Sequence, residues 1–530
     1  MENQAHASSA LAARLAACLG SERVLGEDGQ RILLSSDLYV EGETCALAIR
    51  PADAASLAEA VKLITDAGHA ICPRGGGLSY TGGYTPTDTA SVVVDTRDLA
   101  GIIELDAGDM TLTAGAGTTW EAIDKALVPH GLRLPFFGTF SGRMATVGGG
   151  LSGGAVFFGS ARYGTAADQV LDLEVVCADG RILRTGQAAF RNGRPFYRNH
   201  GPDLTGLFLH DGGAFGIKAS ATFRLIERPA HTGFLSWAFP DAMGAAAALS
   251  TIGRAGVAEE AYVFDPATTA RGMAAGDLGS DLRRLHGIIT GQGSITAGLK
   301  AGARVALAGR KLVPEGWHSL HLAAAGRSKA ALQADLEQAG RLLGRHGGRQ
   351  IPPSIPMAAR AAPFDNLDGV LGPRGERWLA LNAKLRHGDA AKIIAGFESL
   401  MARYRERMAA TRVTHSMLLS AMNTSTFSFE AVYHWPDRWL PLHRAVASPA
   451  FLARLPPDTP NPEGAALVAE LRERTLDLYD ELGVASNQIG RTYRYYDNLA
   501  ADTRSLLDAL KSALDPRGLM NPGVLATHRR

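Results

Sequence analysis

The chain has few cysteines and no long uncharged apolar run. Its four cysteines are Cys18, Cys45, Cys72 and Cys177 in 530 residues. None forms a C-x-x-C pair or has a histidine at metal-ligand spacing, so neither a metal site nor a disulfide is predicted. No apolar run approaches the roughly 18 residues that cross a bilayer, so no transmembrane helix is predicted either.

The chain also lacks an excess of charge of either sign. Its 54 Lys and Arg residues nearly balance 53 Asp and Glu residues, which leaves a formal net charge of +1. Without a dense basic run, nucleic acid is not expected as a partner. Residues 10–19 include Arg14 and no basic region precedes them, which favours a short amphipathic helix over a signal peptide. We therefore expect a cytoplasmic protein.

Glycine, in contrast, is abundant, and two segments are especially rich in it. Residues 73–83 have the sequence Pro-Arg-Gly-Gly-Gly-Leu-Ser-Tyr-Thr-Gly-Gly, and residues 145–154 have the sequence Ala-Thr-Val-Gly-Gly-Gly-Leu-Ser-Gly-Gly. Because glycine has no Cβ, such loops let backbone N–H groups approach an anionic ligand closely. Two of them among alternating strands and helices favour a cofactor that carries a diphosphate, and a flavin above all.

A classical dinucleotide fold is a weaker interpretation of the second segment. Gly148, Gly150 and Gly153 do match the G-x-G-x-x-G pattern. However, residues 140–144 do not resemble a buried strand, and no long amphipathic helix follows the glycines. The sequence therefore argues against a Rossmann domain at this position.

Local patterns predict mixed α and β structure. Helices are expected at 51–68, from 118 to about 131, at 327–346, 388–409 and 501–514, and strands at 70–72, 91–95, 102–105, 111–114, 416–421 and 427–432. Residues 173–183 predict a hairpin around Ala178-Asp179-Gly180. Residues 270–315 are ambiguous.

A chain of this length is expected to form two or three domains. The density of glycine falls after Pro229, and the last fifty or so residues again differ in character. We expect a cofactor domain at 1–230, a second domain at 231–485 and a C-terminal segment at 486–530.

Four blocks of the sequence together resemble the FAD-linked oxidases of the vanillyl-alcohol oxidase / p-cresol methylhydroxylase superfamily. The blocks are residues 73–86, 145–186, 203–225 and 490–523. The resemblance implies an α+β protein with a two-subdomain PCMH-type FAD-binding domain. A cap domain of antiparallel sheet and helices would cover the isoalloxazine ring, and the C-terminal segment would return to the FAD side.

The resemblance also implies which residues hold FAD. They are Arg74, Gly75, Gly76, Gly77, Leu78 and Ser79 at the pyrophosphate, Val147, Gly148, Gly149 and Gly153 along the flavin, and Ile217 and Asn521 near it. Many relatives attach FAD through a histidine where this chain has Leu78, or through a cysteine in the second glycine segment, where this chain has none. A third attachment position, in the cap, aligns with Trp378. Non-covalent FAD is therefore expected.

For the substrate, the resemblance points first to the branch that oxidises para-substituted phenols. In that branch two tyrosines and an arginine grip the phenolate, and the matching residues here are Tyr80, Tyr493 and Arg494. Ionising a phenol of pKa about 10 at pH 7 costs roughly 4 kcal/mol, which such groups can largely supply. Hydride would then pass to flavin N5 from the carbon substituent of a 4-alkylphenol, a vanillyl-type alcohol or a lignin-derived phenol.

A D-2-hydroxy-acid dehydrogenase of the D-lactate or glycolate type is the alternative. The first glycine segment is very similar in that branch. Its Glu-His-Gly-Ile-Gly segment, however, corresponds to residues 487–490 here, Asn-Gln-Ile-Gly, which lack the carboxylate and imidazole needed for a metal and a base. A flavoprotein without catalytic activity on an organic donor is a further possibility.

Proton transfer has two candidates on one predicted strand. Strict alternation along 427–434 places Glu430 and His434 on the same face. The resemblance puts such strands at the floor of the substrate cavity. The electron acceptor (oxygen, a quinone or a cytochrome) stays open, and a homodimer or larger assembly is expected.

Overall fold

The computed structural model describes residues 2–275, 313–365 and 367–526. The ambiguous segment 270–315 lies mostly outside these residues. Three main sheets organise the described chain. They contain four, five and seven strands, and a short two-stranded pair joins Leu132–Arg133 to Ile226–Glu227.

The first sheet leads the chain into the first glycine segment. In spatial order its strands are Val24–Leu25, Leu47–Ile49, Val92–Asp95 and Ile71–Arg74. Helix Ala54–Asp66 packs beside it, and the Asp53 carboxylate caps this helix by accepting the Ser56 N–H at 2.8 Å. Strand Ile71–Arg74 is parallel to Val92–Asp95 and fully buried, so residues 75–79 are held at the end of a rigid element.

The second sheet supports the second glycine segment. Its strands, in spatial order, are Ile102–Asp106, Thr111–Gly115, Ile217–Arg224, Val170–Val176 and Ile182–Arg184. The predicted hairpin is present, with Val176 opposite Ile182. The second glycine segment itself contains a short helix, Val147–Gly153, which the sequence predicted as a loop. The helix forms because Thr146 caps it at the Gly149 N–H and because Val147 and Leu151 are buried in the core.

The third sheet is antiparallel and has one apolar and one mixed face. In spatial order its strands are Arg349–Ile351, His231–Phe239, His318–Gly326, Glu260–Phe264, Thr414–Met422, Thr426–Trp435 and Arg377–Arg386. Phe427, Phe429 and Tyr433 on one face pack into the core together with helices such as Ala390–Thr411 and Pro462–Glu481. Glu430 and His434 alternate with them and lie on the opposite, inner face.

The remaining α-helices of the described residues complete the fold. They are Glu2–Leu19, Asp28–Leu34, Trp120–Leu127, Ser160–Tyr163, Leu204–Leu207, Ala242–Ala255, Pro266–Ala275, Lys329–Leu343, Ser354–Ala361, Pro441–Val446, Pro449–Leu452 and Ala501–Leu514. The four cysteines are free thiols.

The end of the described chain lies beside the first glycine segment. Met520 forms a parallel bridge with Ile71, and the Asn521 N–H donates to the Ile71 carbonyl at 2.8 Å. The Asn521 side-chain amide donates to the carbonyls of Gly83 (2.8 Å) and Gly212 (2.6 Å). Asn521 thus ties three segments together. The domain boundaries at 230 and 485 stay predictions.

Candidate active site

The two glycine segments contact each other so closely that side chains are excluded between them. A Cβ atom on Gly75 would lie 2.2 Å from Thr146 Oγ1, and one on Gly76 would lie 2.4 Å from the Met144 carbonyl oxygen. Neither distance is tolerable for a real Cβ atom. Backbone of one segment therefore packs directly on the other, which is the reason that glycine occupies these positions.

A cleft with about 1050 Å³ of empty space runs along both segments. Ten of the predicted cofactor residues line it, namely Arg74, Gly75, Gly76, Gly77, Leu78, Ser79, Gly148, Gly149, Gly153 and Ile217. Val147 is instead buried in the core, and Asn521 acts one layer further out, through the carbonyls of Gly83 and Gly212. Gln488, Ile489 and Gly490 of the C-terminal segment also line the cleft.

A buried cation lies directly under the first glycine segment. The Arg74 guanidinium donates to the Ser36 carbonyl at 2.6 Å and lies so close to Gly77 that a Cβ there would be 2.1 Å from its nitrogen. Burial lowers the pKa of Arg74 to about 10, so it stays charged at neutral pH. A positive charge beside free backbone N–H groups matches the needs of a diphosphate.

The sequence missed a second buried cation in the cleft. Lys218 follows Ile217 and donates to Asp211 Oδ1 at 2.6 Å, with both side chains almost fully buried. Tyr84 was also missed, and a Cβ on Gly153 would come 3.0 Å from its hydroxyl. Alternation along the strand Ile217–Arg224 predicts that Lys218 points away from Ile217 and toward solvent. The strand is in fact buried on both faces, so Lys218 is buried as well. Asp211 neutralises Lys218, so Arg74 and the backbone N–H groups of the glycine segments are what suit the cleft to an anionic cofactor.

Tyr80, Tyr493 and Glu430 come together beside this cleft. The Tyr80 ring packs on Trp378 with centroids 4.5 Å apart, and the Tyr493 hydroxyl accepts the Asn382 N–H at 2.6 Å. Asn382 is paired with Glu430 across the third sheet. The side chains of both tyrosines and of Glu430 are half-buried, and the two tyrosines pack against the core of the third sheet.

Burial dominates the electrostatics of this cluster. It raises the pKa of Tyr80 and of Tyr493, and the Glu430 carboxylate adds to both shifts. Burial also raises the pKa of Glu430, while the nearby Lys384 ammonium and a hydrogen bond from Asn382 oppose the change. The tyrosines thus stay protonated donors at neutral pH, and the carboxylate is drawn toward the range of a general base.

His434 lies on the same face but further along. It is paired with Trp378 in the sheet, and its Nε2 is 3.2 Å from Ser416 Oγ. Burial, with smaller contributions from Arg271 and His415, lowers the pKa of His434 to about 3. His434 is therefore a neutral imidazole in the resting protein, next to the Trp378 side of the cluster.

Arg494 is not brought into the cluster. Its guanidinium binds Glu473 (2.9 Å), Asp477 (2.8 Å) and Asp480 (2.8 Å), which raise its pKa. These carboxylates lie on helix Pro462–Glu481 and hold the Arg494 guanidinium against it. Arg494 and Tyr493 both line a second cavity, and the role of Arg494 beside the substrate stays a prediction.

Comparison with known proteins agrees with these observations. Residues 45–186 match the family described as FAD binding domain. D-lactate dehydrogenase of Archaeoglobus fulgidus is 30% identical over 36% of this chain and 41% of its own length. Glycolate oxidase subunit GlcD of Bacillus subtilis is 32% identical over 30% of this chain and 32% of its own length. The matched part thus spans well under two thirds of these relatives.

Solved structures extend the likeness to the whole fold. p-Cresol methylhydroxylase with substrate bound superposes with a TM-score of 0.74 at 17% identity, covering 98% of this chain and 97% of that one. 4-Ethylphenol oxidase from Gulosibacter chungangensis gives 0.65 at 14% identity, covering 98% and 97%. An alkyldihydroxyacetonephosphate synthase gives 0.70 at 15% identity, covering 97% and 84%.

Residues 45–186 are therefore an FAD-binding domain, and the chain has the PCMH-type fold. The predicted α+β class, the resemblance to the PCMH-type superfamily and the expectation of FAD are confirmed. Among the helices of the described residues, none is long and apolar enough to cross a membrane.

Proposed function

We propose that the protein is an FAD-dependent oxidoreductase that oxidises a para-substituted phenol. The observation that carries the proposal is the convergence of Tyr80, Tyr493 and Glu430 on the inner face of the third sheet. Both tyrosines closely follow residues that line the FAD cleft, Ser79 in one case and Gly490 in the other. Two hydroxyl donors and one carboxylate thus lie close in sequence or in the sheet to the residues that line the cofactor site.

Each of these groups has a defined task in such a reaction. The hydroxyls of Tyr80 and Tyr493 would donate hydrogen bonds to the phenolic oxygen and stabilise it as it ionises. Glu430 would accept the phenolic proton, for which its raised pKa is suited. FAD, when bound, supplies a two-electron acceptor for the hydride that leaves the para substituent. The substrate thereby loses one proton and one hydride and becomes a quinone methide. The quinone methide then adds water or loses a further proton.

Oxidation of a D-2-hydroxy acid is the second candidate. It is favoured by the names of the sequence relatives, D-lactate dehydrogenase and glycolate oxidase. Against it, Asn487 stands where a carboxylate is expected, and its amide is used to bind the Gly154 carbonyl. His210 binds the Asn487 carbonyl at 3.1 Å, so this turn has a structural task.

The two candidates differ in which compound reduces the flavin. The FAD-loaded protein is mixed without oxygen with 4-alkylphenols, vanillyl-type alcohols, D-lactate, D-2-hydroxyglutarate and glycolate, and the visible absorption of oxidised flavin is followed. We expect bleaching by phenols and none by hydroxy acids. Bleaching by hydroxy acids alone would replace the proposal with the second candidate, and a flavin that no donor bleaches would contradict both.

A non-covalent flavin, cytoplasmic location and a homodimeric or larger assembly belong to the same proposal. Leu78 offers no atom for a covalent bond to the flavin, and no cysteine occurs in the second glycine segment. The acceptor that reoxidises the flavin is oxygen, a quinone or a cytochrome. Adding each of them to the reduced flavin and following the return of its visible absorption would identify it.

A further inference from the structure

The inner face of the third sheet holds a buried cation that the sequence did not single out. Lys384 lies on strand Arg377–Arg386, two residues beyond Asn382 and on the same face. Its side chain is buried, and its Nζ donates to Ser428 Oγ at 2.6 Å and to Asn382 Oδ1 at 3.4 Å. The second contact draws the ammonium back along the strand toward the residue whose N–H binds Tyr493.

The partners of Lys384 leave part of its charge uncompensated. An ammonium has three N–H donors, and two of them have neutral acceptors here. Among the described residues, no carboxylate comes within 4.0 Å of its Nζ, although Glu430 is close enough to favour the charged form. Burying such a cation is unfavourable unless an anion joins it. The site is therefore suited to a ligand that carries a negatively charged oxygen.

Open space lies next to this ammonium. A small cavity is lined by Lys384, Ser428, Phe157, Tyr262 and Val156, and Val156 also lines the FAD cleft. With a volume of about 20 Å³ the cavity has room for a single ligand oxygen, and Phe157 and Tyr262 flank that space. Glu260, which borders the same cavity, is already bound by Arg360 and by the Gly159 N–H. It does not compete for Lys384.

We infer that Lys384 is the positioning cation of the substrate site, and that its third N–H donates to the anionic oxygen of the substrate. This inference rests on the proposed function, in which that oxygen is a phenolate. Lys384 would then take the part that the resemblance assigned to Arg494, whose guanidinium is bound by carboxylates of helix Pro462–Glu481. A purely structural role, as a partner of Glu430 in the sheet, is the competing explanation.

The test compares Lys384→Met and Lys384→Arg with Lys392→Met, a control that removes an exposed lysine of helix Ala390–Thr411. FAD content is expected to be unchanged in all three. For the best phenol, Lys384→Met should raise the dissociation constant and KM about 10- to 100-fold, as expected for loss of a charge-assisted hydrogen bond. Lys384→Arg should recover part of the loss, because it restores the charge. The maximal rate of flavin reduction should change less than KM.

The pH dependence gives a readout that a structural role would not move. Burial, opposed by Glu430, lowers the pKa of Lys384 to about 8, so wild-type kcat/KM should fall above that pH as the cation is lost. The other titratable groups that face it are Glu430, Glu260, Tyr262 and Tyr493. Burial raises the pKa of both tyrosines and of both carboxylates, and none of these groups changes in Lys384→Arg. Lys384→Arg should therefore move the alkaline limb upward.

The outcomes separate the inference from the proposed function. If phenols bleach the wild-type flavin and Lys384→Met keeps the wild-type dissociation constant and pH profile, the inference is wrong and the function stands. If only hydroxy acids bleach it, the proposed function is wrong, and D-lactate becomes the probe. Weaker D-lactate binding by Lys384→Met would then support Lys384 as an anion-binding residue, and an unchanged dissociation constant would overturn it. If Lys384→Met does not fold, Lys384→Arg is the test. An alkaline limb of kcat/KM that moves upward supports the inference, and an unchanged limb overturns it.

Discussion

Replacing Gly76 with valine is expected to leave a folded chain that no longer retains FAD. The Cβ atom of the new side chain would lie 2.4 Å from the Met144 carbonyl oxygen. That oxygen belongs to backbone and cannot rotate away, so the two glycine segments must separate. An overpacked contact of this kind costs about 3 kcal/mol, which predicts at least about 100-fold weaker FAD binding if the strain falls on the cofactor site.

The measurement is the ratio of flavin to protein after purification and after titration with FAD. Gly26→Val is the matched control, because a Cβ at Gly26 meets no atom within 4 Å. It should bind FAD like the wild type. Full FAD occupancy in Gly76→Val would mean that the contact between the glycine segments does not shape the cofactor site.

Tyr493→Phe is expected to slow flavin reduction about 100-fold or more while FAD stays bound, the usual cost of losing one preorganised donor at a developing oxyanion. The change removes a single oxygen, which contacts the Asn382 N–H next to Glu430. No described part of the FAD-lining glycine segments depends on that oxygen. Binding of the cofactor and catalysis should therefore separate.

Rapid mixing with the best phenol in the absence of oxygen measures this rate. Tyr495→Phe removes the same atom two residues along the chain, from a side chain that is 38% exposed, and serves as the control. Equal rates in the two variants would remove Tyr493 from the proposed chemistry. Tyr80→Phe is the companion variant, since Tyr80 occupies the other side of the cluster, against Trp378.

Local sequence signals account well for the elements that carry the cofactor site. Asp53 predicts the start of helix Ala54–Asp66 because its carboxylate can cap the first turn, and the structure has that cap. The strand before Gly75 is predicted by its apolar residues and by the glycines that end it. The helix at Val147–Gly153 escaped prediction because glycine disfavours helices, and the Thr146 cap together with the burial of Val147 and Leu151 compensates.

The substrate side depends on contacts that are distant in sequence. Tyr493 and Arg494 are neighbours, and the contacts of Arg494 are set by carboxylates on the distant helix Pro462–Glu481. The burial of Lys384 depends on its strand being paired with Thr426–Trp435, which places it opposite Ser428. One signal was available, since Trp378, Asn382 and Lys384 alternate with Leu379, Leu381 and Leu385 along one strand.

The central claim is that a substrate held by Tyr80, Tyr493 and Glu430 gives a hydride to FAD from the carbon next to its ring. The most direct test is the rate of anaerobic flavin reduction by 4-ethylphenol, compared with the same compound deuterated at the carbon attached to the ring. The account predicts that 4-ethylphenol bleaches the flavin and that deuterium slows the bleaching several-fold. Equal rates for the two compounds, or a flavin that neither compound reduces, would contradict it.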